Sequence, residues 1–384
     1  MRKKTLALAL AALASGAASA QTNVTVYGLI DVGFSHRGDN ITPHTSSQNK
    51  IDDGVSSGSR LGFKGTEDLG NGLKAVFTLE NGFGADTGTL RQSGRLFGRQ
   101  IFLGLTGSFG TAIAGRLHTP HYSFLVDIDP FGSGLVGRYR NVFDVTHAKS
   151  TGVGGKDRLN AGGENLFDPV RVDNTIAYVS PTFAGFNVTA AYSTNAILDE
   201  HTGNNHDNTV IALLPRYKNG PVDIGVSYHR IKDDDRGAGV NGLVKPKITN
   251  WVVGGAYDFN ALKLSAFYDR NKASADGIKD VTLKSWLIGA KVPFGKHTAL
   301  ISYTQSKLDD GTSGGTLLGK GKAKQWALGY TYDLSKRSNF YAAYAKVSNE
   351  KHDGEYTRNI SVGDGSNGGS GYQNGFQFGL RHKF

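Results

Sequence analysis

The sequence predicts an all-β protein: a transmembrane antiparallel β-barrel of 16 strands, with a long third loop folded into the lumen. Three observations lead to this prediction. The chain ends in an alternating apolar strand, it begins with a secretory signal, and short and long connections alternate along it. A closed barrel and a helix are the two structures that satisfy every backbone polar group in lipid.

The last ten residues alternate between an apolar face and a polar face. The apolar face carries Phe376, Phe378, Leu380, His382 and Phe384, and the polar face carries Gln377, Gly379, Arg381 and Lys383. Successive side chains of a strand point to opposite faces, so one face suits lipid and the other suits water. A tilted strand of about ten residues spans the hydrocarbon layer of a bilayer. A soluble sandwich could use such a strand as well.

The N-terminus has the features of a secretory signal peptide. Arg2, Lys3 and Lys4 form a basic start, Leu6 to Leu13 an apolar middle, and Ala18-Ser19-Ala20 a small-residue cleavage site. The apolar run is far shorter than the roughly twenty residues of a transmembrane helix. We therefore expect residues 1–20 to be removed and residues 21–384 to form a single barrel domain.

The composition suits a barrel with a wet interior. The 384 residues include 53 glycines, 9 prolines and no cysteine, and the mean hydropathy is -0.32. The lack of cysteine excludes disulfides and thiolate chemistry. The net charge is +10, and losing Arg2, Lys3 and Lys4 from the 43 basic residues leaves 40 against 33 acidic ones, or +7. No basic cluster alternates with an aromatic platform, so the charge favours a basic lumen over nucleic-acid binding.

The connections between the alternating segments predict the strand number. Short turns fall at 69–71, 107–110, 181–185, 219–221, 259–261, 293–295 and 334–336. Longer polar stretches fall around 36–57, 84–95, 117–172, 196–206, 233–248, 273–280, 309–322 and 350–374. Seven turns and eight loops make 15 connections and hence 16 strands. Outer-membrane barrels have short periplasmic turns and long external loops in this strict alternation.

The third long connection, residues 117–172, holds about 56 residues, whereas most loops have fewer than about 15. Its apolar content is too high for a solvated segment. The residues concerned are Tyr122, Phe124, Leu125, Val126, Phe131, Leu135 and Val136. A 16-stranded barrel encloses an aqueous interior that such a loop can narrow. We expect the loop to fold inward as a constriction, with an external position as the alternative.

Several stretches of the chain resemble the general trimeric porins of Gram-negative outer membranes, in their Neisseria, Bordetella and Burkholderia branch. The matching stretches are Val24 to Asp31, Ser59 to Gly70, Gly98 to Leu105, Phe109 to Arg116, Asp173 to Pro181 and the terminal Phe384. The resemblance implies a homotrimer in the outer membrane and passive diffusion of small hydrophilic solutes and ions. It also implies that the assembly machinery for barrels reads the terminal Phe384 as a signal, and the surrounding partners expected are the bilayer and its lipopolysaccharide.

Charged side chains around a constriction determine the ion preference of a channel. The spacing from the short turns places Arg60, Arg99 and Arg116 near mid-barrel, and Lys74 lower on a lumen-facing position. Acids on the long loop, chiefly Asp127 and Asp129, are expected opposite the arginines. We predict a basic wall with a mild anion preference. The alternative is that these residues are ordinary wetted lumen residues or ion-pair partners that hold the loop.

Other functions have weaker support in the sequence. A channel selective for anionic or sugar solutes is the alternative, although Phe267, the clearest aromatic at an inward position, is too little to form a row of lumen-facing rings. An enzyme is not expected, since none of the 11 histidines accompanies a recognisable nucleophile turn. A metal site could use His118, His121 and His147 with Asp127 and Asp144, but their spacing is irregular. We expect no cofactor and no nucleic-acid partner.

Overall fold

The computed structural model describes residues 23–40, 46–143, 160–161, 164–165, 168–196, 208–233, 247–274, 280–309, 311–313, 316–318, 320–352, 355–356, 358, 360–362 and 371–384. The predicted signal peptide, residues 1–20, lies outside these ranges, so the expected domain division stays a prediction. Among the described residues no helix has the length and apolar character needed to cross a membrane.

One large antiparallel sheet contains 17 strands. They are β1 (Asn23–Asn40), β2 (Gln48–Asp53), β3 (Arg60–Gly70), β4 (Leu73–Gly82), β5 (Gln100–Gly107), β6 (Gly110–His118), β9 (Arg171–Val179), β10 (Phe186–Ser193), β11 (Asn208–Asn219), β12 (Val222–Asp233), β13 (Lys247–Asp258), β14 (Lys263–Ser274), β15 (Val281–Phe294), β16 (His297–Leu308), β19 (Gly321–Asp333), β20 (Ser338–Asn349) and β23 (Tyr372–Lys383). Within the long connections lie the short strands β7 (Asn160–Ala161), β8 (Glu164–Asn165), β17 (Gly311–Ser313), β18 (Thr316–Leu318), β21 (Lys351–His352) and β22 (Glu355–Tyr356).

The sheet closes into a barrel because β23 pairs with both β20 and β1. Its residues Tyr372 to Lys383 match β1 from Asn40 back to Leu29. The strands β2 and β3 pair with the two halves of the same long β1 and so share one position in the wall. The barrel therefore has 16 strand positions, and the predicted strand number and fold class are confirmed.

The second barrel position is interrupted at residues 54–59, a detail that the sequence pattern did not predict. The first long stretch was expected around 36–57, yet β1 continues to Asn40 and β2 forms within that range. The buried Asp31 carboxylate accepts the N–H groups of Ser56 and Ser57 at 2.9 and 2.7 Å, and it draws the interrupted segment inward. Gly54 allows the bend, with φ at +67°.

The predicted alternation of faces appears on the outside of the barrel. Ile224 and Val226 on β12 are exposed, whereas Asp223 and Ser227, on either side of this pair, are buried on the inner side. The same pattern holds for Phe376 and Phe378 on β23, at 41% and 49% exposure. Exposed apolar side chains on a membrane barrel face lipid.

In its described part, the third long connection contains two short helices, α1 (Pro120–Ile128) and α2 (Arg140–Phe143). Thr119 caps α1 by accepting the N–H of Tyr122, and Pro120 occupies the first turn, where its missing N–H costs nothing. The helix α1 lies against the inner faces of β10 to β14, and α2 lies against β15, β16 and β19. The loop is therefore folded into the lumen, as predicted.

Candidate functional site

The described stretch 119–143 of the third loop is attached to the barrel wall on two sides. At its tip the N–H of Leu135 donates to the carbonyl of Val55 at 2.7 Å, within the interruption of the second strand. On the far side Gln325 of β19 accepts from Asn141 at 2.7 Å and donates to the carbonyl of Gly137 at 2.9 Å. These contacts fix the loop across the channel.

Apolar burial holds the same loop against the inner wall. Phe124, Leu125, Val136, Val142 and Phe143 are fully buried in a cluster with inward side chains of the strands. Each fully buried side chain of this kind contributes about 1.5–3 kcal/mol. The interior of this barrel is thus partly a hydrophobic core, and the open channel is confined to what the loop leaves free.

Phe267, expected as a lumen-facing aromatic, does point inward, but the loop covers it. Its ring lies edge-on to those of Tyr139 and Phe143, at centroid distances of 5.8 and 5.7 Å, and it is 4% exposed. Phe267 of β14 therefore packs against the loop and does not line an open path for sugars.

Asp129, predicted as a pore-facing acid, is fully buried within the loop. Its carboxylate accepts the backbone N–H groups of Phe131, Ser133 and Tyr139 at 3.1, 2.9 and 3.4 Å. Burial raises its pKa to about 6, against the lowering effect of these hydrogen bonds. The expectation that Asp129 faces the pore is wrong: it shapes the turn that follows α1.

Asp127, the other predicted acid, is half-exposed and forms an ion pair with Arg216 of β11 at 2.8 Å. The Arg216 guanidinium also binds Asp223 through two hydrogen bonds of 2.7 Å and lies over the ring of Phe124. Arg216 was not among the predicted residues. Asp127 therefore ties α1 to the wall on the side of β11, and this agrees with the alternative in which the acids hold the loop.

Two of the predicted arginines, Arg60 and Arg99, face the lumen and share a cavity of about 210 Å³. The interrupted segment 54–58 and the loop tip 132–135 form the two sides of this arginine-lined cavity. Three further arginines line it, namely Arg138, Arg140 and Arg171. None of the three was predicted, because two lie on the loop and the third lies at the very start of β9.

The acids around the arginine-lined cavity are engaged in ion pairs. Asp53 pairs with Arg91 at 3.0 Å and Asp52 pairs with Lys50 at 3.0 Å. Glu80 lies 2.8 Å from Arg99. Arg60, by contrast, donates to the neutral oxygens of Gly58 and Ser57 at 3.0 and 2.5 Å.

Arg140 is a further member with an acid of its own, since its Nε lies 2.8 Å from Asp168. Its guanidinium also lies over the ring of Tyr122, 5.7 Å from the centroid. Among the described residues, the five arginines exceed the four acids Asp52, Asp53, Glu80 and Asp168 near them, and this excess favours a positive field in the cavity. A low-dielectric wall strengthens such a field.

Arg116 does not join this cavity, and its predicted place in the lumen wall is wrong. It stands opposite Ile101 in the register of β5 and β6, and Ile101 is exposed on the outer face. Opposed residues of an antiparallel pair share a face. Its Nη1 binds Asp173 at 2.5 Å and its Nε donates to the carbonyl of Gly98. Together with Phe77 and Leu103 it lines a groove on the outer wall.

Lys74, also predicted for the constriction, lies far from it. It is exposed and stands opposite Asp68 in the strand register, beside the turn at Asn71. Arg60 stands opposite Gly82 at the other end of the hairpin. Eight residues of strand separate Lys74 from Gly82, which corresponds to about 26 Å.

The terminal Phe384 exchanges two backbone hydrogen bonds with Gly28 at 3.0 and 3.1 Å, so it completes the seam of the barrel.

The loop histidine His121 is packed against the wall. Its ring lies 4.9 Å from that of His229 on β12, and its Nε2 lies 3.7 Å from Asp168 and 3.9 Å from Asp269. Burial and the nearby Arg140 lower its pKa to about 3. Within the described ranges no three His, Asp or Glu side chains are placed to hold a metal ion. His147 and Asp144, also weighed as ligands, lie outside those ranges.

The comparisons with known proteins agree with this architecture. A sequence model of the Gram-negative porin family matches residues 7–352. The chain belongs to the Gram-negative porin family. An outer membrane porin protein of Bordetella pertussis is 33% identical over 90% of this chain and 94% of its own length. Outer membrane porin protein 32 of Delftia acidovorans is 31% identical over the full length of both, and a major outer membrane protein P.IB of Neisseria gonorrhoeae is 30% identical over 88% of this chain and 91% of its own.

Among solved structures, the anion-selective porin from Comamonas acidovorans is similar to this porin with a TM-score of 0.73. The two are 28% identical, over 95% of this chain and all of the other. OmpF of Salmonella typhi shares the fold, with a TM-score of 0.60 at 18% identity, over 94% of this chain and 97% of the other. The porin is therefore a passive channel of the outer membrane, and the predicted resemblance and location are confirmed. Its family and fold are those of non-enzymatic channels.

Proposed function

We propose that this porin conducts small hydrophilic solutes with a mild preference for anions, and that it carries no catalytic activity. The observation that supports the preference is the arginine-lined cavity between the loop tip and the interrupted strand. Its acids already have basic partners, and Arg60 donates to neutral oxygens. A passing anion meets a net positive field there. The Comamonas acidovorans porin, of similar structure, is described as anion-selective.

The test is the reversal potential of the refolded mature chain in a planar bilayer under a salt gradient. The wild type should show an anion-leaning potential. Arg60→Ala with Arg99→Ala should move the potential toward cation preference, because two of the five cavity arginines are lost. An unchanged reversal potential would show that Arg60 and Arg99 do not form a basic wall that sets the ion preference. Arg116→Ala is the matched control, since this arginine faces the outside of the barrel.

A second candidate function is a channel that prefers particular anionic solutes, such as phosphate or a carboxylate. The density of arginines favours it, since five guanidinium groups surround a cavity of about 210 Å³. Arginine binds phosphate and carboxylate in a bidentate manner. Conductance that saturates at low concentration of one such anion, but not of chloride, would support this candidate over a general channel.

The homotrimer implied by the resemblance is part of the proposal. The outer groove on β4 to β6 supports it, since Leu103 is 65% exposed there beside the ion pair of Arg116 and Asp173. Conductance in steps of three and a trimeric mass in detergent are the expected results. We also propose that the assembly machinery reads Phe384, and deletion of that residue should lower the yield of folded barrel in the outer membrane.

A further inference from the structure

Asp31, in the middle of β1, makes hydrogen bonds with both ends and with the centre of the interrupted segment. Its carboxylate accepts the N–H groups of Ser56 and Ser57 at 2.9 and 2.7 Å. Its backbone carbonyl accepts the N–H of Gly54 at 2.9 Å, and its backbone N–H donates to the hydroxyl of Ser59 at 3.1 Å. One residue of the neighbouring strand thus holds the whole segment.

The Asp31 carboxylate is fixed from its other side by Tyr341 of β20. The Tyr341 hydroxyl donates to this carboxylate at 2.5 Å, and it reaches across β23 to do so. Gly379 of β23 stands opposite both Tyr341 and Gly33 in the strand register. A Cβ on either glycine would crowd the phenol hydroxyl, so the two glycines leave the space that it needs. The fully buried carboxylate therefore has a fixed direction.

The interrupted segment in turn fixes the direction of Arg60, the first residue of β3. The Arg60 side chain donates through Nε to the carbonyl of Gly58 at 3.0 Å and through Nη2 to the hydroxyl of Ser57 at 2.5 Å. Both acceptors are neutral oxygens, so they orient the guanidinium group without cancelling its charge. Because Asp31 is buried, it acts on the arginine-lined cavity through these two residues.

Glu80 is the acid that a released Arg60 side chain would reach. Glu80 stands opposite Gly62 in the register of β3 and β4, and Gly62 lies two residues from Arg60 on the same inner face. Such diagonal neighbours on adjacent strands are about 7–8 Å apart, within reach of a long side chain. The Glu80 carboxylate binds Arg99 at 2.8 Å. A bond from Arg60 to this carboxylate would weaken the positive field in the cavity.

We propose that Asp31 is a positioning residue of the ion filter. By holding the interrupted segment it keeps Arg60 directed into the arginine-lined cavity, and a buried acid thereby supports the preference for anions. The inference rests on the proposed anion preference and adds to it a residue that the passing ions do not contact. Loss of a carboxylate from a channel lumen by itself favours anions. Loss of the Asp31 carboxylate should instead favour cations, because Arg60 loses its direction.

The test is the anion-to-cation permeability ratio of Asp31→Asn, obtained from the reversal potential of the refolded porin in a planar bilayer under a salt gradient. Asparagine has the size of aspartate, but its NH2 group cannot accept from the hydrogen-bond donors around Asp31. The ratio should fall about two-fold below that of the wild type. The matched control is Asp127→Asn, which removes a half-exposed carboxylate of the loop and should raise the ratio.

A double variant separates the positioning of Arg60 from other effects. In an Arg60→Ala background, Asp31→Asn should leave the ratio unchanged, because the residue that Asp31 positions is absent. Tyr341→Phe removes one hydrogen bond from the Asp31 carboxylate without altering a charge, and it should lower the ratio by a smaller amount. Thermal unfolding of each variant in detergent is measured in parallel. A purely structural role of Asp31 would lower the unfolding temperature without changing the ratio.

Two results would overturn the proposal: an unchanged or higher permeability ratio in Asp31→Asn, or an equal fall of the ratio in the presence and in the absence of Arg60. If Asp31→Asn forms no folded barrel, Tyr341→Phe decides, and an unchanged ratio in that variant would overturn the proposal. The ratio of the wild type tests the anion preference separately, since the role of Asp31 concerns only the differences between the wild type and its variants.

Discussion

The backbone N–H of Leu135 donates a 2.7 Å hydrogen bond to the carbonyl of Val55, and this bond joins the tip of the third loop to the interruption of the second barrel strand. The interrupted segment is held inward by Asp31, which accepts from Ser56, Ser57 and the hydroxyl of Tyr341. The same segment supplies Ser57 as an acceptor for Arg60. One buried carboxylate thus positions both sides of the arginine-lined cavity.

The closeness of the loop tip to the wall predicts the effect of Gly134→Ala. A Cβ at this position would clash with the carbonyl oxygen of Ser56, which is a backbone atom and cannot rotate away. We expect the tip to be displaced at a cost of about 1–3 kcal/mol in loop attachment and the single-channel conductance to rise. Planar-bilayer recording measures the single-channel conductance. In the control Gly38→Ala, the nearest atom is the movable His36 side chain at 3.2 Å, and conductance should not change. Equal conductance in both variants would contradict the attachment.

The strand pattern could be predicted because a strand has a period of two and lipid selects one face. That rule puts Arg60 on the lumen side, and Arg60 lines the arginine-lined cavity. The same rule places Arg116 on the outer face, since the two-residue turn at Ser108 and Phe109 sets the outward-facing Ile101 opposite Arg116. The small side chains on both faces of β6 hid this relationship, because neither face of that strand looks apolar by itself.

The loop contributions could not be predicted in the same way. Arg138 and Arg140 lie in a segment without a repeating period, so nothing in the sequence fixes which way their side chains point. Asp129 looked like a pore acid by composition alone, but the turn after α1 uses its carboxylate to satisfy three backbone N–H groups. Such local hydrogen bonding depends on loop geometry that hydrophobic patterning does not specify.

The two loop acids should differ in their effect on stability. Asp129→Ala leaves three N–H groups without their acceptor in a buried place, and we expect it to lower the stability of the folded loop by about 3 kcal/mol. Asp127→Ala removes a half-exposed ion pair, which should cost less than about 1 kcal/mol. Limited proteolysis of the loop in urea compares the two variants. Equal protection would mean that the hydrogen bonds of Asp129 contribute little.

The outward position of Arg116 predicts a separation of two properties. Arg116→Gln should leave the reversal potential unchanged, because the side chain does not face the channel. It should weaken the oligomer instead, since it breaks the 2.5 Å ion pair with Asp173 at the outer groove. Arg99→Gln should shift the reversal potential and leave the stability of the oligomer unchanged. Bilayer recording and the oligomer mass in detergent at rising temperature measure the two properties, and a shifted reversal potential for Arg116→Gln would place this arginine in the filter after all.

The attachment of α1 to the wall should weaken in acid because of His121. Its pKa is about 3 in the attached loop through burial and Arg140, and it would return to about 6.5 if the loop detached into water. The attached state therefore binds fewer protons between these two values. The contribution of His121 to attachment is fully present above pH 6.5, and it falls by about 1.4 kcal/mol for each pH unit as the pH falls toward 3.

The acid effect of His121 can be isolated by His121→Gln, which keeps a polar side chain of similar size without the titration. The side chains that face His121 are Arg140, Asp168, His229 and Asp269, and all of them stay in the variant. Asp129 acts in the opposite direction, because burial raises its pKa from 3.8 to about 6. Its contribution to loop attachment is fully present below the unperturbed pKa and is lost as the pH rises through 6. Between pH 6.5 and 4.5 the wild type should lose about 3 kcal/mol more loop protection than the variant, as protease susceptibility measures. Parallel pH curves for the two proteins would show that His121 does not control the attachment.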